Sequence, residues 1–236
     1  MRERGAELPG WRVPPRPEAV AMTGRYARLE PLAADHAEGL FAAYAGAPTL
    51  WDYLPYGPHA DLAAQAEWVA HWSGRPDPVF FAIRGEDGQV GGVASYLRIA
   101  PEAGSIEVGH INLSPSLQGS RAATEAMVLM MGWAFAAGYR RYEWKCDALN
   151  LPSRRAAERL GLSYEGVFRQ AAVVKGRNRD TAWFAAIDRE WPALKAAFDT
   201  WLDPGNFDAA GRQTRRLSAL TRPILAARDP VLAAKG

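Results

Sequence analysis

The sequence predicts a mixed α/β fold: one central sheet, antiparallel in its N-terminal part, then a parallel pair joined through a crossover helix. Three observations predict it. Apolar stretches succeed one another as strand, two helices, three strands, helix, strand, helix and two strands. Only a mixed sheet accommodates that order, a meander first and a right-handed strand–helix–strand unit second. No linker interrupts residues 22–202, so one domain spans them between an arm at 1–21 and a tail at 203–236. Finally, 48% hydrophobic and 23% charged residues over 236 positions are ordinary for a chain with a buried core, which excludes global disorder.

Each element has its own signal. In the arm, Pro9, Pro14, Pro15 and Pro17 remove backbone donors, so it either hangs free or lies on a neighbouring surface as an extended strap. ARLEPL reads as a strand, and Asp35 is placed to cap a helix ending at Tyr44. TLWDYLPYGP is an aromatic loop. A helix from Asp61 to Trp72 follows, with Leu62, Ala66, Val69 and Ala70 at helical spacing. VFFAIR and VGGVASYLRI flank the turn GEDGQ as a hairpin, and SIEVGHINL is the next strand. RAATEAMVLMMGWAFAAG carries an apolar stripe of Ala123, Ala126, Met127, Met130, Ala134 and Phe135, with Gly138 as its stop. YRRYEWKCDAL is a strand. NLPSRRAAERLG is a helix capped by Asn150, with Pro152 in its first turn and Gly161 after its end. LSYEGVFRQAAVVK and DTAWFAAI are strands joined by GRNR, and WPALKAAFDTWL is a helix with Trp191, Leu194, Phe198 and Trp201 on one face. The tail has few aromatics and room for a docking helix.

Composition narrows the function classes. The net charge of +2 is too balanced for a nucleic-acid binder. The lone Cys146 permits no internal disulfide and no cysteine-rich zinc site, and His36, His59 and His71 lack ligand spacing, so no metal is expected. No apolar run of membrane-spanning length and no secretory leader are present, which fits a cytoplasmic protein without a membrane partner. Of nine Trp, Trp133, Trp144, Trp68, Trp72, Trp191 and Trp201 fall on helices or strands as packing residues. Trp11 lies in the arm and needs somewhere to dock, a partner subunit in a homodimer being one candidate.

The strongest chemical signal is INLSPSLQGSRAATEA, in which a strand ends, a small-residue loop follows and a helix begins. The first helical turn has unpaired amides and partial positive charge, a seat for phosphate. Ser120, Ala122 and Ala123 let a ligand approach the backbone, and Arg121 adds charge. A plain strand–helix connection would look the same, and the G-x-G-x-x-G of a dinucleotide fold is absent.

Here the chain resembles the GNAT superfamily of N-acetyltransferases, of the type that includes the ribosomal-protein N-terminal acetyltransferases. The likeness spans roughly residues 23–190 and is most specific from Gln118 to Glu125 and in Asn150-Leu-Pro-Ser153 followed by AAERLGLSYEG. In the family loop, Gln118 and Ala123 fit the pattern, whereas Arg121 stands where a glycine is usual. If that position needs positive φ, Arg121 is strained; if it already lies in the helix, it costs nothing and can grip a phosphate.

The resemblance implies a splayed parallel pair and acetyl-CoA as cofactor. Pantetheine would pair with the edge at Ile111 and Leu113, and Asn150 would hydrogen-bond it. The pyrophosphate would rest on the amides of Gly119, Ser120, Arg121, Ala122 and Ala123, with Gln118 at the start of the loop also binding the coenzyme. The Leu113 N–H would face the thioester oxygen. The partner would be a small-molecule amine or a peptide N-terminus. At pH 7 about one α-amine in seven is neutral, but only about one lysine in a few thousand, so an α-amine asks less of the enzyme. Glu107, acting directly or through a water, is the first base candidate. His110 is the second, on the opposite strand face by alternation.

Ser153 would protonate the leaving thiolate, with Tyr164 as another donor or a core residue. Cys146 reads as a buried thiol rather than a nucleophile. Trp51, Asp52, Tyr53, Tyr56 and Trp183 would wall the acceptor, Asp52 holding its ammonium, though the aromatics could equally fill the core. Arg140, Arg141, Arg154, Arg155 and Arg159 form either a solvated surface or an attraction for coenzyme phosphates. Two other readings compete: an acyl-CoA-binding module without turnover, and a nucleic-acid or partner adaptor using Arg212 to Arg222, which the charge balance disfavours.

Overall fold

The computed structural model describes residues 2 and 4–234. Eight strands form one sheet in the order β1-β2-β3-β4-β5-β6-β8-β7. These are β1 (Met22–Thr23), β2 (Arg28–Pro31), β3 (Val79–Arg84), β4 (Val90–Ala100), β5 (Ser105–Leu113), β6 (Arg141–Asp147), β7 (Ser163–Val174) and β8 (Arg177–Ile187). All neighbours are antiparallel except β5 and β6. The helices are α1 (His36–Tyr44), α2 (Leu62–Trp72), α3 (Arg121–Ala136), α4 (Leu151–Arg159), α5 (Trp191–Leu202), α6 (Leu217–Thr221) and α7 (Pro230–Ala233). The predicted order and mixed sheet are both observed. No helix among the described residues is long and apolar enough to cross a membrane.

Strand alternation divides the core into two layers. Along β3, Val79, Phe81 and Ile83 join the larger cluster with Met127, Met130 and Ala134 of α3, while Phe80 and Ala82 join Leu40 and Tyr44 of α1 and Val69 of α2. The α3 stripe buries as predicted, with Phe135 at its margin. The α2 stripe does not: Leu62 is exposed, and the inward residues are Gln65, Trp68, Val69 and Trp72. Their i, i+3, i+4, i+7 spacing is also helical, and the bulk of the two indoles decided the face.

Asp35 makes no side-chain cap; His36 Nδ1 instead accepts from the Ala33 N–H at 3.1 Å. Asp61 and Asn150 do cap, accepting from Ala64 N and Ser153 N. The last hairpin turns at Lys175 and Gly176, so Arg177 to Arg179 lie within β8 rather than in the connection.

Both ends of the chain are docked. Trp11 packs on Gly104, where a Cβ would meet its ring at 2.4 Å, and beneath the Arg140 guanidinium. Tyr139 Oη donates to Pro15 O at 3.0 Å. The arm is therefore the strap of the two alternatives, and Trp11 finds its surface on its own chain. The tail is pinned by Asp229, fully buried, which accepts from Arg154 Nε and Nη2 at 2.6 and 2.7 Å.

Candidate active site

The site grows from a defect in strand pairing. β5 and β6 pair only from Ser105–Arg141 to Val108–Trp144, although both strands continue. Beyond Val108 the strands part and leave one edge of β5 open. At the same level the β4–β5 register shifts between Val93 and Ser95, and His110 adopts φ +51°. An extra residue in β5 thus bends the strand away from β6.

Ser114 N–H donates to Gly91 O at 2.8 Å, which makes that opposed pair a hydrogen-bonded one. Alternation along an antiparallel ladder then turns the amides of Leu113 and Ile111 away from β4, into the gap. Gln118 Nε2 donates to Leu113 O at 3.0 Å and closes part of that edge.

The loop after β5 delivers the edge onto α3. Gly119 has φ +70° with open space before it, so the positive-φ position of this loop is filled by a glycine. Arg121 is the first residue of α3 and carries no strain. It does not reach toward a phosphate, however. Its guanidinium pairs with both oxygens of Glu86 at 2.6 and 2.5 Å and stacks on Tyr26. Ser120 caps α3 by accepting from Ala123 N at 3.0 Å. Among the described residues, the amides of Gly119, Arg121 and Ala122 have no protein acceptor.

On the far side, Asn150 Oδ1 holds Ser153 N at 3.1 Å. The Trp144 indole N–H donates to Ser153 Oγ at 2.9 Å, which leaves the hydroxyl proton free to point elsewhere. Cys146 is buried and its thiol is pushed up to about 11 by desolvation, a state suited to packing rather than nucleophilic attack. Tyr164 packs edge-on against Phe184.

The face of β5 and β6 turned away from α3 holds a chain of alternating charges, of which the sequence reading named Glu107 and Arg141 but not Arg98, Glu143, Lys145 or Glu165. Glu107 is 2% exposed. Arg98 Nη1 lies 2.8 Å from both its oxygens, and Lys145 Nζ lies 2.8 Å from Oε2. Lys145 also pairs with Glu143, which pairs with Arg141, which pairs with Glu165. Both oxygens of Glu107 are thus occupied by cations, and neither is open to the gap without a change of partner.

His110 sits on the same face as Glu107, contrary to simple alternation, because the extra residue reverses the count. Its ring stacks on Tyr56 and packs against Phe80 and Trp72, and Nδ1 lies 3.2 Å from Tyr56 Oη. Burial, with Arg98 and Arg179 nearby, holds its pKa down to about 4.

The predicted acceptor wall is partly assembled. Tyr56 meets His110. Trp183 lies beneath Lys145 Nζ, 3.9 Å from the ring centroid. Tyr53 Oη donates to Leu149 O at 3.3 Å, joining the aromatic loop to the segment after β6, while Lys175 Nζ ties that loop through Trp51 O and Gly57 O at 2.8 Å each. Trp51 is buried among Tyr44, Tyr56 and His59 and serves as packing, and Asp52 is exposed. Arg179 Nε and Trp183 Nε1 are buried with no partner among the described residues. Of the arginine cluster, Arg141 and Arg154 are engaged in ion pairs, and Arg140 stands 4.0 Å from Asp188.

Comparison with known proteins decides the family. The acetyltransferase (GNAT) domain profile matches residues 27–163. The chain belongs to the GNAT acetyltransferases. A GCN5-related N-acetyltransferase from Brucella melitensis is 47% identical, with a TM-score of 0.89 over 91% of this chain and 100% of that one. A probable GNAT-family acetyltransferase from Chromobacterium violaceum is 40% identical, with a TM-score of 0.76 over 82% of this chain and 98% of that one. A Salmonella typhimurium acetyltransferase, described as modifying the N-terminal serine of ribosomal protein L7/L12, shares the fold. It is 21% identical, with a TM-score of 0.61 over 70% of this chain and 96% of that one. Among curated proteins, none matches the sequence. Family membership brings acetyl-CoA as the acetyl donor. The open β5 edge, Gly119 with space before it and the free amides of α3 fit a coenzyme with an amide-bearing arm and a pyrophosphate.

Proposed function

We propose that this acetyltransferase moves the acetyl group to a primary amine, a protein N-terminal α-amine or a small-molecule amine, by direct attack in a ternary complex. The carrying observation is the parting of β5 from β6 at the level of the His110 bulge, which opens the amides of Ile111 and Leu113 onto the gap. Ile111, Leu113 and Asn150 would hold the pantetheine arm, and the amides of Gly119, Arg121 and Ala122 the pyrophosphate. When bound, the coenzyme supplies an acetyl group activated as a thioester.

The chain's own groups do the rest. Leu113 N–H donates to the carbonyl oxygen as negative charge gathers there. Ser153, fixed by the Trp144 indole, would hand its hydroxyl proton to the departing sulfur and recover one from the nitrogen that becomes the amide. The amine arrives neutral, which an α-amine near pKa 7.8 manages at about one molecule in seven at pH 7. Glu107 would serve as a counter-charge that holds Arg98 and Lys145 beside the gap, and it takes the base role expected from sequence only if an arriving amine displaces one of them. Arg179 and Trp183 offer hydrogen-bond donors to the acceptor. The fold shared with the Salmonella enzyme supports the N-terminal branch of this reading by likeness alone.

The clamped state of Glu107 favours one rival, a module that holds acyl-CoA without turnover. Free-thiol release measured over a panel of amines and peptides separates them. Release with at least one acceptor is expected. Tight acetyl-CoA binding with no release across the panel would establish the rival, and no binding at high micromolar coenzyme would sink both.

A further inference from the structure

A second concave region lies outside the gap, between α4, near the end of the residues that match the family domain, and the C-terminal tail, which lies beyond them. It encloses about 320 Å³. Arg155 and Arg159 of α4 face Arg222 and Arg228 of the tail across it, over an apolar floor that includes Leu225 and Leu232. Glu158 is the one carboxylate among its walls, and it is already used: Arg228 Nε lies 3.2 Å from Oε1, and Asp229 N–H donates to Oε2 at 2.9 Å. Arg155, Arg159 and Arg222 have no carboxylate within ion-pair distance among the described residues.

Four guanidinium groups around one concavity, with a single carboxylate among them, attract an anion, and their fork geometry suits phosphate oxygens. The wall is not an accident of loose chain. The buried Arg154–Asp229 pair anchors the tail on α4, Thr221 Oγ1 donates to Arg159 O at 3.0 Å, and Ala226 N–H donates to Ser163 Oγ at 2.9 Å. These bonds fix Arg222 and Arg228 opposite α4.

The region also connects to the proposed coenzyme track. Arg159 Nη2 donates to Thr124 Oγ1 at 2.8 Å, and that hydroxyl donates to Ser120 O, the N-cap of α3. One arginine therefore touches both the first turn of α3 and the arginine-lined cavity. Burial holds the Arg159 pKa below its usual value.

We propose that the C-terminal tail completes the coenzyme site: the cavity between α4 and residues 217–232 receives the 3′-phosphorylated nucleoside end of coenzyme A, the phosphate on Arg155 and Arg222 and the nucleoside over the leucine floor. The inference rests on the coenzyme reading above. It makes the tail a selector for the 3′-phosphate, since dephospho-coenzyme A lacks only that group.

Calorimetry on the full chain tests it, with coenzyme A, dephospho-coenzyme A and inorganic phosphate as probes. Wild type is expected to bind coenzyme A about tenfold or more tightly than dephospho-coenzyme A, the span of one charge-assisted phosphate contact. The paired substitution Arg155→Gln with Arg222→Gln is expected to erase that preference, to leave dephospho-coenzyme A affinity within about twofold, and to keep the melting temperature. Both side chains are exposed, so the fold does not depend on them. Equal affinity of wild type for the two coenzymes, or an undiminished preference in the variant, would overturn the inference while leaving the coenzyme reading standing. Inorganic phosphate that binds wild type and variant alike, without competing with coenzyme A, would also overturn it. Failure of wild type to bind either coenzyme would bring down the coenzyme reading itself and the tail's role with it.

Discussion

Two buried glutamates lie on opposite faces of the sheet and are satisfied in opposite ways. Glu125, on α3, accepts three backbone N–H groups, from Arg25 at 2.9 Å, Tyr26 at 2.6 Å and Ala27 at 2.7 Å. A Cβ on Gly24 would fall 2.3 Å from its carboxylate, so the chain entering β2 wraps tightly around it. Glu107, on the acceptor face, is instead held by two long flexible cations, and the Arg98 side chain is 62% exposed. Backbone amides cannot leave without unfolding their segment, whereas arginine and lysine can change partners. The Glu125 side of the sheet is thus a fixed frame, and the Glu107 side is a charge arrangement that an arriving amine can rearrange.

The sharpest way to break that contrast is Glu125→Ala. It leaves two buried amides and one half-buried amide without an acceptor, and a loss of roughly 3–5 kcal/mol is expected in denaturant unfolding. A loss under about 1 kcal/mol would mean water replaces the carboxylate and that the frame is not fixed.

The next effect belongs to His110. Its folded pKa is about 4, below the value near 6.5 of an unfolded histidine, so the unfolded chain takes up the proton first. Stability present above pH 6.5 is expected to drain as pH falls toward 4, by on the order of 3 kcal/mol. His110→Asn, which tolerates the positive φ, should flatten this acid limb in a melting-temperature profile; an unchanged profile would show that other groups cause it.

Glu107→Gln is expected to cost only about 1–2 kcal/mol, because Arg98 can turn to solvent and Lys145 keeps Glu143. Turnover should fall at least tenfold (roughly) while coenzyme affinity stays, and the acid limb of the pH–rate profile should keep its midpoint, since the acceptor amine sets it. Loss of that limb would restore Glu107 as the base.

Ser153→Ala should barely move stability and should lower turnover by roughly 10–100-fold. Equal losses in turnover and coenzyme affinity would assign Ser153 to the frame instead.

The fold was legible where apolar pattern and capping act locally. The α3 stripe, the Gly119 loop and the Asn150 cap all lie within short stretches of chain, and so did the family likeness. The face of α2 misled because alanines fit both sides of a helix, and Trp68 and Trp72 settled it by bulk. Strand alternation put His110 on the wrong face, since an inserted residue changes the count without marking the sequence. The partners of Glu107 were invisible for another reason: Arg98, Glu107 and Lys145 meet only because three separate strands adjoin. Arg121 and Glu86 meet in the same way, across a hairpin turn and a helix start.

The proline-rich arm has a mechanical consequence. It presses Trp11 on Gly104, whose carbonyl accepts from Arg140 N at 2.8 Å and Arg141 N at 3.1 Å, at the joined ends of β5 and β6. Those ends are clasped while the opposite ends gape. The two strands therefore behave like a clothes-peg with its spring at one end and its jaws at the other, and the proline-rich arm is the segment that tensions the grip.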